Sequence, residues 1–303
     1  MSLVPLNRIL YRALEGSYGV GYFEAWDSYS LEAVLEAAEA ERAPVILGFG
    51  CMMADPAWLD AGGIELLAGA GRLVAARAQV PAALLLNEAH TRQQAERAIV
   101  AGFNAVMVDT SAWPRDRAVQ EVRQLVEFAH AQGAAVEAEL GRLPDALLEG
   151  GIDDSRASLT DPDDAADFVR QTGVDCLAVS FGNIHILTQG EAPVDVERLA
   201  AVYRRVQIPL VIHGGTSFPA GKVSQAVASG GVKFNVGTAL KLAFLDGVRQ
   251  AVAGWGERVD VHAVLGSHRQ GDFLEAGKAR MRDRVRELIR LYGAAGRADD
   301  AGW

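Results

Sequence analysis

Short runs of aliphatic and β-branched residues alternate with longer stretches of helical periodicity through most of the chain. Most of the short runs are continuously apolar, which is typical of parallel strands covered on both faces. The clearest helical stretches are 30–42, 91–101 and 115–132. The candidate strands are 18–23, 44–48, 83–87, 104–108, 134–139, 175–180, 208–212 and 232–236.

This order of elements predicts a (β/α)8 TIM barrel, because a helix follows nearly every strand. The alternative is an open doubly wound sheet, but its usual G-x-G-x-x-G motif does not follow the first strand. The stretch 270–292 predicts a long C-terminal helix, and 293–303 is expected to fray. Since no linker or repeat interrupts the pattern, residues 1–303 are predicted to form a single barrel domain, a length that this fold accommodates.

Composition narrows the class of protein. The 303 residues are half hydrophobic and have a formal net charge of −10, which argues against a nucleic-acid-binding surface. Cys51 and Cys176 are far apart, so a reduced, cytoplasmic setting is expected rather than a disulfide framework. Neither a signal-peptide pattern nor an apolar run of roughly 18 residues is present. A cytoplasmic protein without a membrane partner is therefore predicted.

Three histidines directly follow three different candidate strands. His90 comes after the third strand, His185 after the sixth and His213 after the seventh. Because the strands of a parallel barrel direct their C-terminal ends to one face, we expect these side chains to converge. Each could be an isolated loop histidine, but the matching placement favours a metal site. Three imidazoles with an open fourth position are typical of catalytic zinc.

Glycine-rich segments follow the last two strands. They are His213-Gly214-Gly215-Thr216-Ser217 and Asn235-Val236-Gly237-Thr238. Barrel loops at this place often bind phosphate through backbone N–H groups, although glycine also marks ordinary tight turns. A metal and a phosphate at one barrel mouth predict a small phosphorylated carbonyl substrate.

Acidic residues at the strand ends are Glu24, Glu88, Asp109 and Glu139. Such residues can transfer protons, bind a second metal or support histidine ligands, and they can also simply cap the following helix. The sequence leaves these alternatives open.

Seven stretches together resemble the class II, metal-dependent fructose-bisphosphate and tagatose-bisphosphate aldolase family. They occur in the family's order over nearly the whole chain: 18–24, 31–45, 102–111, 136–143, 160–182, 208–219 and 233–241. The resemblance implies Zn²⁺, or another divalent ion, that polarises a ketose carbonyl and stabilises the enediolate left by C–C cleavage. It also implies a homodimer or homotetramer.

The resemblance implies roles for individual residues. The metal ligands would be His90, His185 and His213, with Asp109 and Glu139 as second-site or supporting groups. The residues that would bind substrate and phosphate are Gly182, Gly214, Gly215, Thr216, Asn235, Gly237, Thr238 and Lys278.

Departures from the family pattern fall on proton transfer. The family has an aspartate before its first histidine ligand, where this chain has Ala89, and a mobile-loop glutamate at the place of Leu147. Glu24 replaces an asparagine, and Gly237 replaces an acid. Because loss of a general acid or base costs about 10²–10⁴-fold in rate, standard fructose 1,6-bisphosphate is not the expected substrate. The candidates for catalytic roles are Glu24, Glu88, Asp145, Glu149 and Asn235.

Three functions are compatible with these features. An aldolase-type lyase acting on a phosphorylated ketose or related hydroxy-keto compound is favoured. A metal-dependent epimerase or isomerase of a sugar phosphate would need no proton acceptor at Ala89. A non-catalytic ligand-binding homologue is the third alternative.

Overall fold

The computed structural model describes residues 3–146, 151–155 and 157–303. Its strands are β1 (Val20–Ala25), β2 (Val45–Gly50), β3 (Ala82–Ala89), β4 (Ala105–Val108), β5 (Ala135–Leu140), β6 (Asp145–Ala146), β7 (Ile152–Asp153), β8 (Cys176–Val179), β9 (Leu210–Ile212) and β10 (Gly231–Val236). All except the antiparallel pair β6–β7 form a closed parallel barrel in the order β1-β10-β9-β8-β5-β4-β3-β2. The predicted TIM barrel is confirmed.

Helices surround the barrel. They are α1 (Leu6–Gly16), α2 (Ser28–Ala40), α3 (Pro56–Trp58), α4 (Ile64–Ala76), α5 (Arg92–Ala101), α6 (Arg115–Ala131), α7 (Pro162–Thr172), α8 (Val196–Val206), α9 (Val223–Ala228), α10 (Thr238–Ala253), α11 (Val261–Val264) and α12 (Phe273–Leu291). Side-chain caps explain several starts: Thr91, for example, accepts a hydrogen bond from the Gln94 amide at the N-terminus of α5. No helix in the described part of the chain is both long and apolar enough to span a membrane.

The C-terminal segment is held against the barrel. Helix α12 confirms the predicted long helix, and it packs against α10 and α2. Beyond it, the Gly296 and Ala298 amides donate hydrogen bonds to the carbonyls of Glu41 and Arg42, both at 2.9 Å. The expectation that 293–303 frays is wrong, because these bonds attach the segment to the end of α2.

The end of β3 is irregular in a way that matters for the site. Its pairing with β4 shifts register between Leu86 and Ala89, and Glu88 has a left-handed backbone conformation with φ of 56°. A bulge of this kind redirects a side chain at a strand end, and such strain is common at functional sites.

Candidate metal-binding active site

A cavity of about 400 Å³ opens at the C-terminal ends of the barrel strands. Its polar part includes the ends of β1, β3 and β10 and the loops after β8 and β9. Its apolar part includes partly exposed side chains of Met52, Met53, Ile186, Leu242 and Leu245. This position is where enzymes with this fold carry their active sites.

Three side chains in this cavity form a candidate metal group. One donor atom each from Glu88, His185 and His213 lie within 4.8 Å of one another. Glu88 comes from the irregular end of β3, His213 directly follows β9, and His185 lies in the loop after β8. Two imidazoles and a carboxylate are a known ligand set for catalytic zinc.

His90 does not join this group, so the structure departs from the predicted set of three histidines. Its backbone amide donates to Gln94 Oε1 at 3.1 Å, and its Nε2 lies 3.3 Å from the Ala54 carbonyl. Because β3 continues to Ala89 through the irregularity, Glu88 turns into the cavity and His90 leads into α5. The structure therefore places a carboxylate where a third imidazole was predicted.

With Glu88 in place of His90 as the first candidate ligand, a different residue directly precedes that ligand in the chain. If Glu88 takes the place of the first ligand, the neighbouring residue is Asn87 rather than Ala89. Asn87 is 4% exposed and lines the cavity, whereas the Ala89 side chain is buried outside it. An amide does not transfer protons as a carboxylate does, so the family's acid/base position still lacks a proton acceptor.

His185 is oriented by Asp145 of β6. Its Nδ1 lies 3.5 Å from Asp145 Oδ1, and its backbone amide donates to the Pro144 carbonyl at 2.9 Å. The hydrogen bond with His185 is the main reason why the pKa of Asp145 is lowered. This contact leaves the buried Nε2 of His185 without a partner and available to a metal.

His213 is held by a buried charged network that sequence reasoning missed. Its Nε2 lies 3.1 Å from Glu137 Oε1, and Glu137 Oε2 lies 2.7 Å from Lys233 Nζ. Glu137 and Lys233 are both 0% exposed. Burial raises the pKa of Glu137, but Lys233 and His213 outweigh it and leave the pKa below its usual value. The network therefore keeps a carboxylate charged behind His213 and directs Nδ1 toward the cavity.

Glu139 and Glu88 flank the opposite nitrogen of His213. Their carboxylate oxygens lie 3.0 and 3.6 Å from Nδ1. Burial lowers the pKa of His213, but Glu139, Glu137 and Glu88 outweigh it and raise the pKa to about 10. A metal that binds here at neutral pH must displace this proton. Asp109 lines a smaller adjoining cavity with Glu88, Glu139 and His185.

A second group with potential ligand spacing, Glu32, His268 and Glu275, lies away from this cavity. Lys278 is 2.8 Å from Glu32 Oε2 and 3.8 Å from Glu275 Oε1, and it also contacts Glu36 at 2.6 Å. These contacts neutralise the acidic cluster. The same contacts show the role of the Lys278 side chain: it links α12 to α2 and does not line the predicted phosphate site.

The other predicted phosphate residues divide into two sets. Gly182 and Gly215 do not line the main cavity, and packing requires a glycine at each position. A Cβ at Gly182 would lie 2.5 Å from the Pro193 carbonyl oxygen, and a Cβ at Gly215 would lie 2.7 Å from the Asn235 carbonyl oxygen. The structure brings the remaining ones together around the cavity: Gly214, Thr216, Asn235, Gly237 and Thr238.

Glu24 enters this part of the cavity from β1. Its Oε1 lies 2.6 Å from Lys241 Nζ on α10, and a side chain at position 237 would collide with its carboxylate. Gly237 therefore leaves the space that Glu24 occupies. Glu149 and Leu147, which carried two sequence-based predictions, lie outside the described residues.

Buried polar atoms without partners concentrate at this site. Eight such side-chain atoms occur in the described ranges, and five of them belong to residues of the two adjoining cavities. Leaving a buried polar atom unsatisfied costs about 1–3 kcal/mol, so their concentration indicates a ligand. They are Tyr22 Oη, Asn87 Oδ1, His185 Nε2 and Asn235 Nδ2, together with Glu139 Oε2, which has the ion-pair contact with His213 but no aligned hydrogen bond.

The sequence contains a signal for Glu137 and Lys233, the two buried charged residues that the sequence analysis did not select. Lys233 interrupts the apolar strand VKFNV, and Glu137 interrupts AVEAEL. Charged residues in buried strands need a partner, and β9 and β8 alone separate β10 from β5 in the barrel. Their partnership could not be assigned without that topology.

The closed barrel, with a cluster of imidazoles and carboxylates at the C-terminal ends of its strands, has the arrangement found in barrel enzymes that bind a metal ion. The chain belongs to the family described as fructose-bisphosphate aldolase class-II, whose profile matches residues 4–297. Enzymes of this family are generally metal-dependent, in agreement with the donor group.

Individual relatives agree with this assignment. The chain is 34% identical over 304 residues to the fructose-bisphosphate aldolase of Geobacillus stearothermophilus, covering 98% of this chain and 99% of that protein. It is 32% identical to the probable fructose-bisphosphate aldolase of Bacillus subtilis (strain 168), covering 89% and 93%. The crystal structure of the YdjI aldolase from Escherichia coli K12 matches with a TM-score of 0.80 and 26% identity, covering 98% and 99%.

Proposed function

We propose that this protein is an aldehyde-lyase that cleaves and forms C–C bonds in a phosphorylated ketose or a related hydroxy-keto compound. The observation that carries the proposal is the group formed by Glu88, His185 and His213, whose donor atoms converge within 4.8 Å. Asp145 orients one imidazole and Glu137 the other. This arrangement is typical of a metal site whose ligands are oriented by carboxylates.

The ion proposed here is Zn²⁺, because two histidines and a glutamate are an established zinc ligand set. When bound, such an ion polarises a carbonyl group and stabilises the negative charge that develops on its oxygen. Mn²⁺ or Co²⁺ would also fit ligands of this kind, since nitrogen and oxygen donors accept several divalent ions.

Glu24 is the proposed acid/base residue. Asn87 directly precedes Glu88 but has no carboxylate. Glu24 has a carboxylate, lines the same cavity, and its side chain is 21% exposed. Lys241 holds the Glu24 carboxylate at 2.6 Å and restricts its position. The role proposed for Glu24 is to accept the proton of the hydroxyl beside the bond that breaks.

The substrate phosphate is proposed to bind at the N-terminus of α10. Thr238 begins this helix, and Gly214 and Thr216 line the adjoining wall. A helix N-terminus favours an anion, and Lys241 offsets the negative charge of Glu24 beside this site. The prediction of a cytoplasmic homodimer or homotetramer without a nucleic-acid partner stays a prediction.

A second function, epimerisation or isomerisation of a sugar phosphate, is favoured by one observation. Asn87 provides no proton acceptor next to the metal group, and a reaction that only forms and collapses an enediolate breaks no C–C bond. Such a reaction would use the metal group and would not need the cleavage base.

Product analysis separates these functions. The zinc-loaded protein is incubated with fructose 1,6-bisphosphate, tagatose 1,6-bisphosphate and several ketose 1-phosphates, and products are followed by NMR. Two fragments that disappear after chelation and in His185→Ala support the lyase. A single rearranged sugar supports the isomerase, and chelator-insensitive cleavage contradicts the proposed metal role.

A further inference from the structure

Three of the unpartnered polar atoms are not accounted for by a metal. They are Tyr22 Oη, Asn87 Oδ1 and Asn235 Nδ2, and their residues line the same cavity as the metal group. We call them the polar triad. Its members come from β1, β3 and β10, which are close in the barrel because β1 lies between β10 and β2, and β2 pairs with β3.

Strand register places Tyr22 and Asn235 side by side. They are paired residues of β1 and β10, and paired residues of neighbouring strands direct their side chains to the same face. Asn87 is paired with Gly50 at the end of β2. A Cβ at Gly50 would come within 3.0 Å of the Glu24 carboxyl carbon, so this glycine leaves the room that the Glu24 carboxylate occupies beside the triad.

Hydrogen bonding within the protein fixes what the triad offers. Asn235 Oδ1 accepts from Lys233 Nζ at 2.5 Å, so its Nδ2 is the group left to donate. Burial raises the pKa of Tyr22 well above its usual value, and Glu24 and Glu88 raise it further. The Tyr22 phenol therefore keeps its proton at neutral pH and can donate a hydrogen bond. Asn87 Oδ1 contributes an acceptor.

Two donors and one acceptor suit a neutral hydroxyl group. A hydroxyl accepts from Tyr22 Oη and Asn235 Nδ2 and donates its proton to Asn87 Oδ1. A phosphate dianion does not fit as well, since it has no proton for Asn87 Oδ1. The carboxylates of Glu24 and Glu88 near the phenol also disfavour an anion.

We propose that Tyr22 is a specificity-determining residue that, with Asn87 and Asn235, binds an uncharged hydroxyl of the substrate beside the carbonyl held at the metal group. This proposal rests on the proposed function, because it assumes that a carbonyl compound occupies the Glu88, His185 and His213 site. It assigns to the substrate a free hydroxyl at this position, with its phosphate at the N-terminus of α10.

The chain provides matched controls for Tyr22. Tyr18 and Tyr292 also have buried hydroxyls without partners, but neither residue lines the cavity. Tyr22→Phe, Tyr18→Phe and Tyr292→Phe each remove one such oxygen and keep the ring. All three variants are expected to unfold at the wild-type temperature or above it, since an unsatisfied polar atom is lost.

Two hydroxamates test the proposal. Glycolohydroxamate and acetohydroxamate have the same metal-binding group and differ by one hydroxyl. Calorimetry on zinc-loaded protein is expected to show that the wild type, Tyr18→Phe and Tyr292→Phe prefer glycolohydroxamate by roughly tenfold or more. In Tyr22→Phe the preference is expected to fall below about threefold.

The outcomes separate this proposal from the proposed function. Binding of both hydroxamates by the wild type without a preference, or an unchanged preference in Tyr22→Phe, would overturn the role of Tyr22 and leave the metal site in place. If neither hydroxamate binds to zinc-loaded wild-type protein, the proposed binding of a carbonyl compound at the metal group is overturned together with the role of Tyr22.

Discussion

The two sides of the cavity are built differently. On the side of β5 and β9, His213 is fixed by Glu137, and Glu137 is neutralised by Lys233, so the polar atoms of the network are satisfied within the protein. On the side of β1 and β3, Tyr22 and Asn87 present buried atoms without partners. A satisfied network rigidifies its members, whereas unsatisfied atoms are matched by a ligand. The difference supports the proposal that one wall positions a metal and the other recognises substrate.

The family's features follow the same division. The metal-side histidines predicted from the resemblance, His185 and His213, are in the candidate group. The substrate side has the chain's own residues, with Glu24, Asn87 and Gly237 at positions where the family carries other side chains. We therefore expect changes on the first wall, and of Glu88 at the end of β3, to affect metal binding. Changes of the other residues on the second wall should affect turnover and selectivity.

Removing Glu88 is expected to have the largest effect. Glu88→Ala deletes a proposed ligand and should weaken zinc binding by more than about 100-fold, beyond the 10–100-fold typical of supporting groups. His90→Ala is the matched control and should stay within about threefold of the wild type, because the hydrogen bonds of His90 in the described structure are with Gln94 and the Ala54 carbonyl and it is not in the donor group. Competition with a fluorescent zinc chelator measures both. An equal loss of zinc affinity in the two variants would indicate that His90 is a metal ligand.

Glu24→Gln tests the substrate wall. The substitution keeps the shape of the side chain but removes the proposed proton acceptor, so kcat should fall by about 10²–10⁴-fold. Zinc affinity should not change, since Glu24 is not in the donor group. Steady-state kinetics together with metal titration give the two values. A variant that retains kcat would show that another group transfers the proton.

Lys233→Met tests whether the metal wall depends on its buried network. The substitution removes the lysine partner of the fully buried Glu137, and loss of one partner of a buried ion pair typically destabilises a protein by about 3–5 kcal/mol. Lys278→Met is the control: its partners Glu32 and Glu36 keep 25% and 41% of their side-chain surface exposed, so a smaller loss is expected. Urea unfolding followed by circular dichroism compares them. Equal losses would contradict a special role for the buried pair.

Glu41 lies outside both walls and should show the smallest effect. Hydrogen bonds from Arg290, and then from Arg286, outweigh burial and lower the pKa of Glu41 in the folded protein. A lowered folded pKa contributes stability above the unfolded pKa, and that contribution is lost as the pH falls through the folded value. Glu41→Gln should therefore be less stable than the wild type near pH 7. The difference should shrink below about pH 4, and a constant difference from pH 7 to pH 3 would argue against this linkage.

The fold could be predicted because the signal is repeated and local. Each barrel strand is a short apolar run, and each candidate strand overlaps an observed one. His213 and His185 could be placed because they follow β9 and β8 closely. The location of these two histidines at the cavity follows from the order of strands in the barrel, and it depends little on the backbone conformation at the end of each strand.

The rest of the site depends on details that a pattern does not contain. A register shift in β3 and the left-handed conformation at Glu88 place Glu88, rather than the expected His90, in the metal group. Lys278 lies on the helix predicted from the sequence, but the direction of its side chain toward Glu32 and Glu36 follows from how α12 packs on α2. Both differences arise from tertiary geometry.

The central claim is that Glu88, His185 and His213 hold the metal. Crystals of the zinc-loaded protein, measured on both sides of the zinc absorption edge, test it directly. We expect one anomalous peak, within roughly 2.0–2.2 Å of a carboxylate oxygen of Glu88 and of one ring nitrogen of each of His185 and His213. A peak coordinated by His90, or a zinc-loaded crystal without a peak in this cavity, would contradict it.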